Sequence, residues 1–312
     1  MNQPGVTSKP SAGRAPILLA GPTAVGKSEI ALRLAEQLGG EIVSVDSMQV
    51  YRGLDIGTAK PPPSERARVP HHLIDVVELT DAFDAAKFVA LAHRAVAEIQ
   101  VRGRVPILCG GTGLYFKAFL EGLGEAPPAD KELRAQLEAT PLEELLRELK
   151  ARDPATYDKI DRRNPRRVIR AVEVIRLTGK PFSDQRAGWN AERGTRSTEF
   201  FGFSRAAADL RRRIDARVDE MFRRGLVEET RRLLERGLAQ NKTAMQAIGY
   251  RQVVEHLQGE RPLNETIELV KIRTRQFAKR QMTWFRKQPG IQWIELAPTD
   301  ETSAIVSRLT LS

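Results

Sequence analysis

One cysteine, Cys109, stands in a chain of 312 residues, which excludes an intramolecular disulfide and a thiolate metal cluster. Histidine is scarce as well, four in all. His71 and His72 are adjacent in a strand-like segment, a placement from which two rings do not easily chelate one metal, so they are read as structural. No apolar run approaches the roughly 20 residues of a membrane helix, and no membrane partner is expected. The opening stretch, MNQPGVTSKPSAGRAP, lacks the apolar centre of a secretory leader and reads as a mobile tail over residues 1–14. A cytoplasmic protein is the expectation. No internal repeat or low-complexity block stands out, which leaves an ordinary globular chain with ample length for a core.

Basic charge is what the first half is short of. The net charge is +10, yet residues 1–150 carry −2, residues 151–200 carry +5, residues 201–290 carry +9 and the last 22 residues carry −2. That asymmetry suits a polyanion engaged by the C-terminal half; a solubilising Arg-rich surface is the competing explanation.

What the chain does have is strand–helix alternation. APILLAG is an apolar run that meets GPTAVGKS, Gly21 to Ser28, followed by SEIALRLAEQLGG with apolar residues at Ile30, Leu34 and Leu38 and a glycine stop. EIVSVDS reads as a second strand, HHLIDVVEL as a third and VPILCGGTG as a fourth, with the helical DAAKFVALAHRAVAEIQVRG before the last. Buried-type strands alternating with helices predict a parallel α/β sheet. The alternation stops near Gly122, at the breaker-rich EGLGEAPPAD. Helical patterns follow in KELRAQLEA, PLEELLRELKARD and RRVIRAVEVIRLTGK, then a return strand in FFGFS and nearly continuous helix to Lys287. The expected architecture is a P-loop NTPase-like parallel sheet core over residues 15–122 and 200–295 with a mostly helical C-terminal part. A helical insertion over 123–199 lies between EGLGEAPPAD and GWNAERGTRS, and a tail covers 296–312.

GPTAVGKS fits Gly-x-x-x-x-Gly-Lys-Ser, and it sits between a strand and a helix as that motif requires. Glycines let backbone N–H groups turn toward phosphate oxygens, and the helix N-terminus adds partial positive charge. Lys27 supplies a mobile cation and Ser28 a hydroxyl for Mg²⁺. Asp46 ends the second strand on the same sheet edge, where ligands of open parallel sheets bind; it suits a water-bridged metal or a general base, or simply a turn-capping role. CGGTG ends the fourth strand there too, with Thr112 offering a hydroxyl and no acid in the place where a phosphate-loop hydrolase keeps its second Mg²⁺ partner. RRNPRRVIRA and RTRQFAKRQMTWFRK are basic; in the second, Phe277, Trp284 and Phe285 interleave with Arg273, Arg275, Lys279, Arg280 and Arg286. Such segments suit phosphate contacts with base stacking, although an amphipathic helix with aromatic core residues has the same look.

Taken together, GPTAVGKS, VSVDSMQVYRGLDIGTAKP, HHLID, GGTGLYFKAFLEG, DPATYDKIDRRNPRRVIRAVEV, AIGYRQVVEHLQGE and TRQFAKRQMTWFRK resemble the tRNA dimethylallyltransferases, in family order over about residues 15–295. DIGTAKP and KRQMTWFR carry most of the specificity; Val25 stands where a serine is common. The resemblance implies that the loop holds the diphosphate of dimethylallyl diphosphate rather than ATP, with ATP binding left open. It implies transfer of the prenyl group to N6 of adenosine-37 beside the anticodon of tRNA, with Asp46, Thr112 and Lys27 catalytic. Gly21, Pro22, Thr23, Ala24, Val25, Gly26, Lys27 and Ser28 would cradle the diphosphate with Mg²⁺ at Ser28, joined by an arginine from RRRIDARVDEMF, taken as Arg217. The tRNA contacts it implies are Asp46, Ser47, Met48 and Gln49; Thr112; Arg134; Arg166, Arg167, Val168, Ile169 and Arg170; Gln246, Ala247, Ile248, Gly249, Tyr250 and Arg251; and Lys279, Arg280, Gln281, Met282, Thr283, Trp284, Phe285 and Arg286. A monomer engaging the anticodon stem-loop, with the target base flipped into the site and the insertion acting as a clamp, completes the expectation. The competing classes are a phosphate-loop kinase of a small metabolite or nucleotide, which leaves the basic half unexplained, and a nucleic-acid-binding ATPase, which lacks its acid on the fourth strand.

Overall fold

The computed structural model describes residues 14–185 and 198–310, so the expected tail over 1–14, but for Arg14, and the whole GWNAERGTRS hinge lie outside the described residues. The chain divides into two compact units: Met1–Leu120 with Thr195–Ser312, and Glu121–Gly194.

In the first unit the chain runs β1 (Ile17–Ala20), α1 (Lys27–Leu38), β2 (Glu41–Val45), α2 (Pro63–Arg68), β3 (His71–His72), α3 (Ala85–Val101), β4 (Pro106–Gly110) and α4 (Gly113–Glu121). ILLA, EIVSV and PILCG are buried at every position, the continuous apolar pattern of parallel strands covered on both faces. The second unit holds α5 (Lys131–Ala139), α6 (Leu142–Arg152), α7 (Pro154–Lys159), α8 (Pro165–Thr178) and α9 (Phe182–Gln185) around a core of Leu137, Leu145, Leu149, Val168, Val172 and Ile175. The first unit resumes with β5 (Glu199–Arg205), α10 (Ala207–Arg223), α11 (Leu226–Glu235), α12 (Tyr250–Leu257), α13 (Leu263–Phe285), β6 (Gln292–Leu296) and α14 (Thr302–Thr310).

The strand order is β3-β2-β4-β1-β5-β6, parallel throughout. Strand alternation sends Leu18, Ala20, Val43, Val45 and Leu108 into one core with Phe88, Phe116, Tyr250 and Phe285, and Ile17, Leu19, Ile107 and Phe203 into the other with Leu34, Ile305 and Leu309. Ala20 of β1 and Val45 of β2 both pair with Gly110 of β4, so three strands end level and their loops leave from one edge.

Three features differ from the sequence reading. HHLIDVVEL yields only the two-residue β3, because Leu73 and Asp75 take left-handed φ of 62° and 57°. The Asp75 carboxylate is instead bound by Lys60 Nζ at 2.5 Å and by Arg66 at 2.8 Å. β6 was not read from the sequence. The stretch taken as a tail from 296 onward contains α14, whose Ile305, Val306 and Leu309 are buried in the α1-side core.

Candidate active site

The phosphate loop begins where β1 ends and closes at Gly26, whose φ of 111° is open to glycine at little steric cost. Ala24 shares a left-handed φ of 64°. Two arginines hold the loop from outside: Arg213 Nε donates to Ala24 O at 2.9 Å and Arg205 Nε to Val25 O at 2.7 Å. A trans peptide puts the following N–H on the side opposite its carbonyl, so pulling Val25 O outward turns the Gly26 N–H toward the loop's hollow. Neither arginine was singled out from the sequence; both lie in or just before α10, one turn or more ahead of Arg217 and without a motif to mark them.

Lys27 Nζ donates to Pro22 O at 3.1 Å. Burial of its ammonium end pushes its pKa below the ordinary lysine value, the charge of Arg217 pushes the same way, and Asp46 opposes. Burial likewise depresses Arg217, again with Asp46 opposing. Two half-buried cations and one carboxylate therefore act on one another. An incoming anion would relieve the repulsion between the cations. Because a depressed lysine pKa means loss of charge at lower pH, affinity for inorganic diphosphate is expected to fall as pH rises toward Lys27's lowered pKa, short of the ordinary lysine value of about 10.4. Calorimetric titration across alkaline pH measures this, and a fall only above the ordinary value would contradict it.

Asp46 follows β2. Its Oδ1 accepts the N–H groups of Met48 at 2.8 Å and Gln49 at 3.2 Å, so the turn-capping role is real. Those bonds fix the carboxylate's plane and leave Oδ2 with no hydrogen bond from the described residues. Thr112 ties the β2 and β4 ends together: its N–H donates to Val45 O at 3.2 Å, and its Oγ1 accepts the Ser47 N–H at 3.2 Å. Gln49, expected to face RNA, is instead engaged within the protein. Its Oε1 accepts the Ser44 hydroxyl at 2.9 Å, and its Nε2 donates to Thr58 O at 3.2 Å.

DIGTAKP proves to be a fixed strap. Glu229 of α11 accepts the Ile56 N–H with both carboxylate oxygens, at 2.9 and 3.0 Å, and the Tyr250 hydroxyl at 2.5 Å; Tyr250 in turn accepts the Gly57 N–H at 3.1 Å. Burial raises the pKa of Glu229 despite these donors. Lys60, 8 % exposed, donates to Tyr51 O at 2.6 Å and to Asp55 at 2.8 Å besides Asp75. The motif had been visible, but not these partners. A Cβ on Gly57 would lie 2.5 Å from a Tyr250 ring carbon, and Tyr250 is fully buried. Gly57→Ala is therefore expected to destabilise by about 1–3 kcal/mol through overpacking. A urea midpoint unchanged from the parent protein would show that the ring moves aside freely.

Several residues expected to touch RNA are core instead. Val168, Ile169, Ala247, Tyr250 and Phe285 are 9 % exposed or less; Phe285 meets Phe116 edge-on at 6.0 Å. Gln281 is buried against the phosphate loop, and Trp284 and Met282 are half-buried. The side chains presented outward are Lys279, Arg280, Thr283 and Arg286 on α13, Gln246, Arg251, which pairs with Glu255 at 3.0 Å, and in the second unit Arg166 and Arg167. Gln276, Lys279, Arg280 and Thr283 line one shallow groove, the i, i+3, i+4, i+7 spacing of a single helix face. Arg134 and Arg170, both partly exposed, each donate to Glu173, a fully buried carboxylate, at 2.5 and 2.7 Å. Arg275 pairs with Asp215 at 3.1 Å.

A metal cage is absent among the described residues: no group of three or more His, Cys, Asp or Glu side chains is suitably placed. Mg²⁺ held through waters and substrate phosphates needs only one or two protein oxygens. The exposed Ser28 at the first turn of α1, its hydroxyl without a hydrogen bond from the described residues, fits that role and leaves Oδ2 of Asp46 open. No helix among the described residues is long and apolar enough to cross a membrane.

The family described as IPP transferase matches residues 49–288. The tRNA dimethylallyltransferase of Geobacter metallireducens is 48% identical over 284 residues, spanning 89% of this chain and 92% of its own. That of Geobacter sulfurreducens is 46% identical over 297 residues, 94% and 96% of the two chains. Among solved structures, the full-length tRNA isopentenylpyrophosphate transferase of Bacillus halodurans superposes with a TM-score of 0.69 at 38% identity, covering 95% of this chain and 96% of that one. A eukaryotic dimethylallyltransferase acting on tRNA gives a TM-score of 0.80 at 29% identity, over 96% of this chain and 78% of that one.

Proposed function

This chain belongs to the tRNA dimethylallyltransferase family, and from that premise we propose that it moves the dimethylallyl group of dimethylallyl diphosphate to N6 of adenosine-37 in tRNA, releasing diphosphate, as a monomer in the cytoplasm. The observation that carries the reading is that the phosphate loop with Lys27 and the backbone-oriented carboxylate of Asp46 leave the same sheet edge, where β1 and β2 both end against Gly110, with Arg217 adding its charge to that of Lys27. Two half-buried cations suit a leaving diphosphate, and a carboxylate oriented by backbone N–H groups suits a proton acceptor. The kinase alternative has a weaker case, since β4 runs into Gly111 and Thr112 without an acid and the outward basic face of α13 has no use in it.

In the reaction the N6–C1 bond forms as the C1–O bond to diphosphate breaks. Asp46 Oδ2 accepts the N6 proton, which raises the nucleophilicity of a weakly basic amine. Lys27, Arg217 and the loop N–H groups stabilise charge developing on the departing oxygens. Mg²⁺, when bound at Ser28, would supply further neutralisation of the diphosphate. The Ser47–Thr112 bond holds the acid-bearing loop to the β4 end so that the carboxylate keeps its aim.

The basic faces are assigned to RNA. Replacing Arg166 and Arg167 by Ala is expected to weaken tRNA binding and to lower its salt slope by about one per lost phosphate contact, leaving affinity for inorganic diphosphate unchanged. Equal losses for both ligands would make these residues structural. Arg170→Ala serves differently: with Glu173 deprived of one partner, loss of stability in the second unit is expected to outweigh any effect on the salt slope. In cells, deletion of the gene should remove N6-dimethylallyladenosine from tRNA hydrolysates, and an unchanged level of that nucleoside would refute the assignment.

A further inference from the structure

The face of α13 toward the phosphate loop carries an amide where its outer face carries cations. Gln281, 8 % exposed, sits beside the exposed Lys279, Arg280 and Thr283. A buried carboxamide is costly unless its donors and acceptor are used, and here both ends are. Its Oε1 accepts the Thr23 N–H at 2.9 Å, and its Nε2 donates to Gly111 O at 2.9 Å. These partners lie 258 and 170 residues away in the chain. The orientation is set by chemistry: turned over, the amide would put NH₂ against N–H and oxygen against oxygen. The fit is close as well. A Cβ on Gly111 would stand 2.2 Å from Nε2, and one turn on, a Cβ on Gly113 would stand 2.1 Å from the Trp284 ring. Thus α13 closes on both sides of Thr112, whose Oγ1 accepts the Ser47 N–H beside Asp46.

We propose that Gln281 is a positioning residue that fixes the phosphate loop to the Thr112 loop, setting the diphosphate at the right distance from the carboxylate that receives the adenine proton. The proposal rests on the function put forward above. Gln281 touches no reacting atom; it acts through Thr23 on the diphosphate side and through Gly111, Thr112 and Ser47 on the acceptor side. It therefore belongs to the donor half of the site, although it lies within the segment whose outer face is assigned to RNA.

Gln281→Met keeps length and helix-forming character while removing both hydrogen bonds. It is expected to weaken inorganic diphosphate binding about tenfold, the size of one or two lost hydrogen bonds, and to slow single-turnover transfer by about 10–10²-fold at saturating substrates. Affinity for an anticodon stem-loop should stay within about threefold. Gln281→Glu adds a readout that a packing role would not move. A neutral carboxyl can still donate to Gly111 O, whereas a carboxylate opposes it. The rate of this variant relative to the parent should accordingly rise as pH falls through the ordinary glutamate range, from about 6 to about 4. A flat ratio, or unaltered diphosphate affinity in Gln281→Met, overturns the proposal. The diphosphate titration needs no prenyl transfer, so absence of transfer by the parent protein would defeat the functional reading while that titration still decides the role of Gln281.

Discussion

Asp46→Asn is expected to slow single-turnover transfer by about 10²–10⁴-fold and to leave tRNA affinity close to that of the parent protein. The substitution keeps the shape and the Oδ1 acceptor, so the bonds from the Met48 and Gln49 N–H groups survive and the turn after β2 holds. What is lost is the one basic oxygen directed away from those donors. An amide in its place cannot take the N6 proton. Rapid-quench measurement with bound tRNA separates this from a binding defect. A rate within a few-fold of normal would return Asp46 to capping alone.

Lys27→Ala is expected to cost about 10²–10³-fold in kcat/KM for dimethylallyl diphosphate, the range seen when one preorganised donor to developing negative charge is removed. The loop itself should persist. Lys27 contributes only the 3.1 Å bond to Pro22 O, whereas Arg213 and Arg205 hold Ala24 O and Val25 O independently. Removing the ammonium also relieves Arg217 of a like charge nearby, so thermal stability without ligand should be kept or slightly raised. Steady-state kinetics beside a melting curve test both halves. Full activity would mean that Arg217 and the N–H groups suffice, and a collapsed melting temperature would mean that Lys27 is structural.

The sheet was legible because its strands announce themselves. ILLA and PILCG are almost wholly apolar and EIVSV has an apolar centre in Ile42, Val43 and Val45, and each ends at glycine or at Asp46, which places the phosphate loop, the acid and Thr112 on one edge from the sequence alone. His71 to Leu79 has the apolar content of a strand, yet the left-handed φ at Leu73 and Asp75 ends β3, and the Asp75 carboxylate is held by the buried Lys60. β6 was overlooked because Trp293 and Glu295 face outward and dilute the apolar signal to Ile294 and Leu296.

Among site residues, those fixed by a local motif were placed well, and those fixed by side-chain partners from afar were not. Arg134 and Arg170 stand in the sequence only as tRNA contacts implied by the resemblance, and their shared pairing with the buried Glu173 carries no motif. Phe285 and Gln281 share a basic helix with Lys279 and Arg280, and the sequence period alone left open which face was inward. Arg205, Arg213 and Glu229 carry no motif and act on backbone atoms more than a hundred residues away.

The most direct test of the central claim uses purified protein, Mg²⁺ and tRNA with either prenyl-labelled dimethylallyl diphosphate or γ-labelled ATP, followed by nucleoside analysis of the RNA. The expected result is prenyl label in RNA, confined to N6 of the adenosine beside the anticodon, dependent on Asp46, with no label from ATP in any product. Phosphate label passing from ATP to a small molecule or to RNA, with no prenyl label in tRNA, would contradict it.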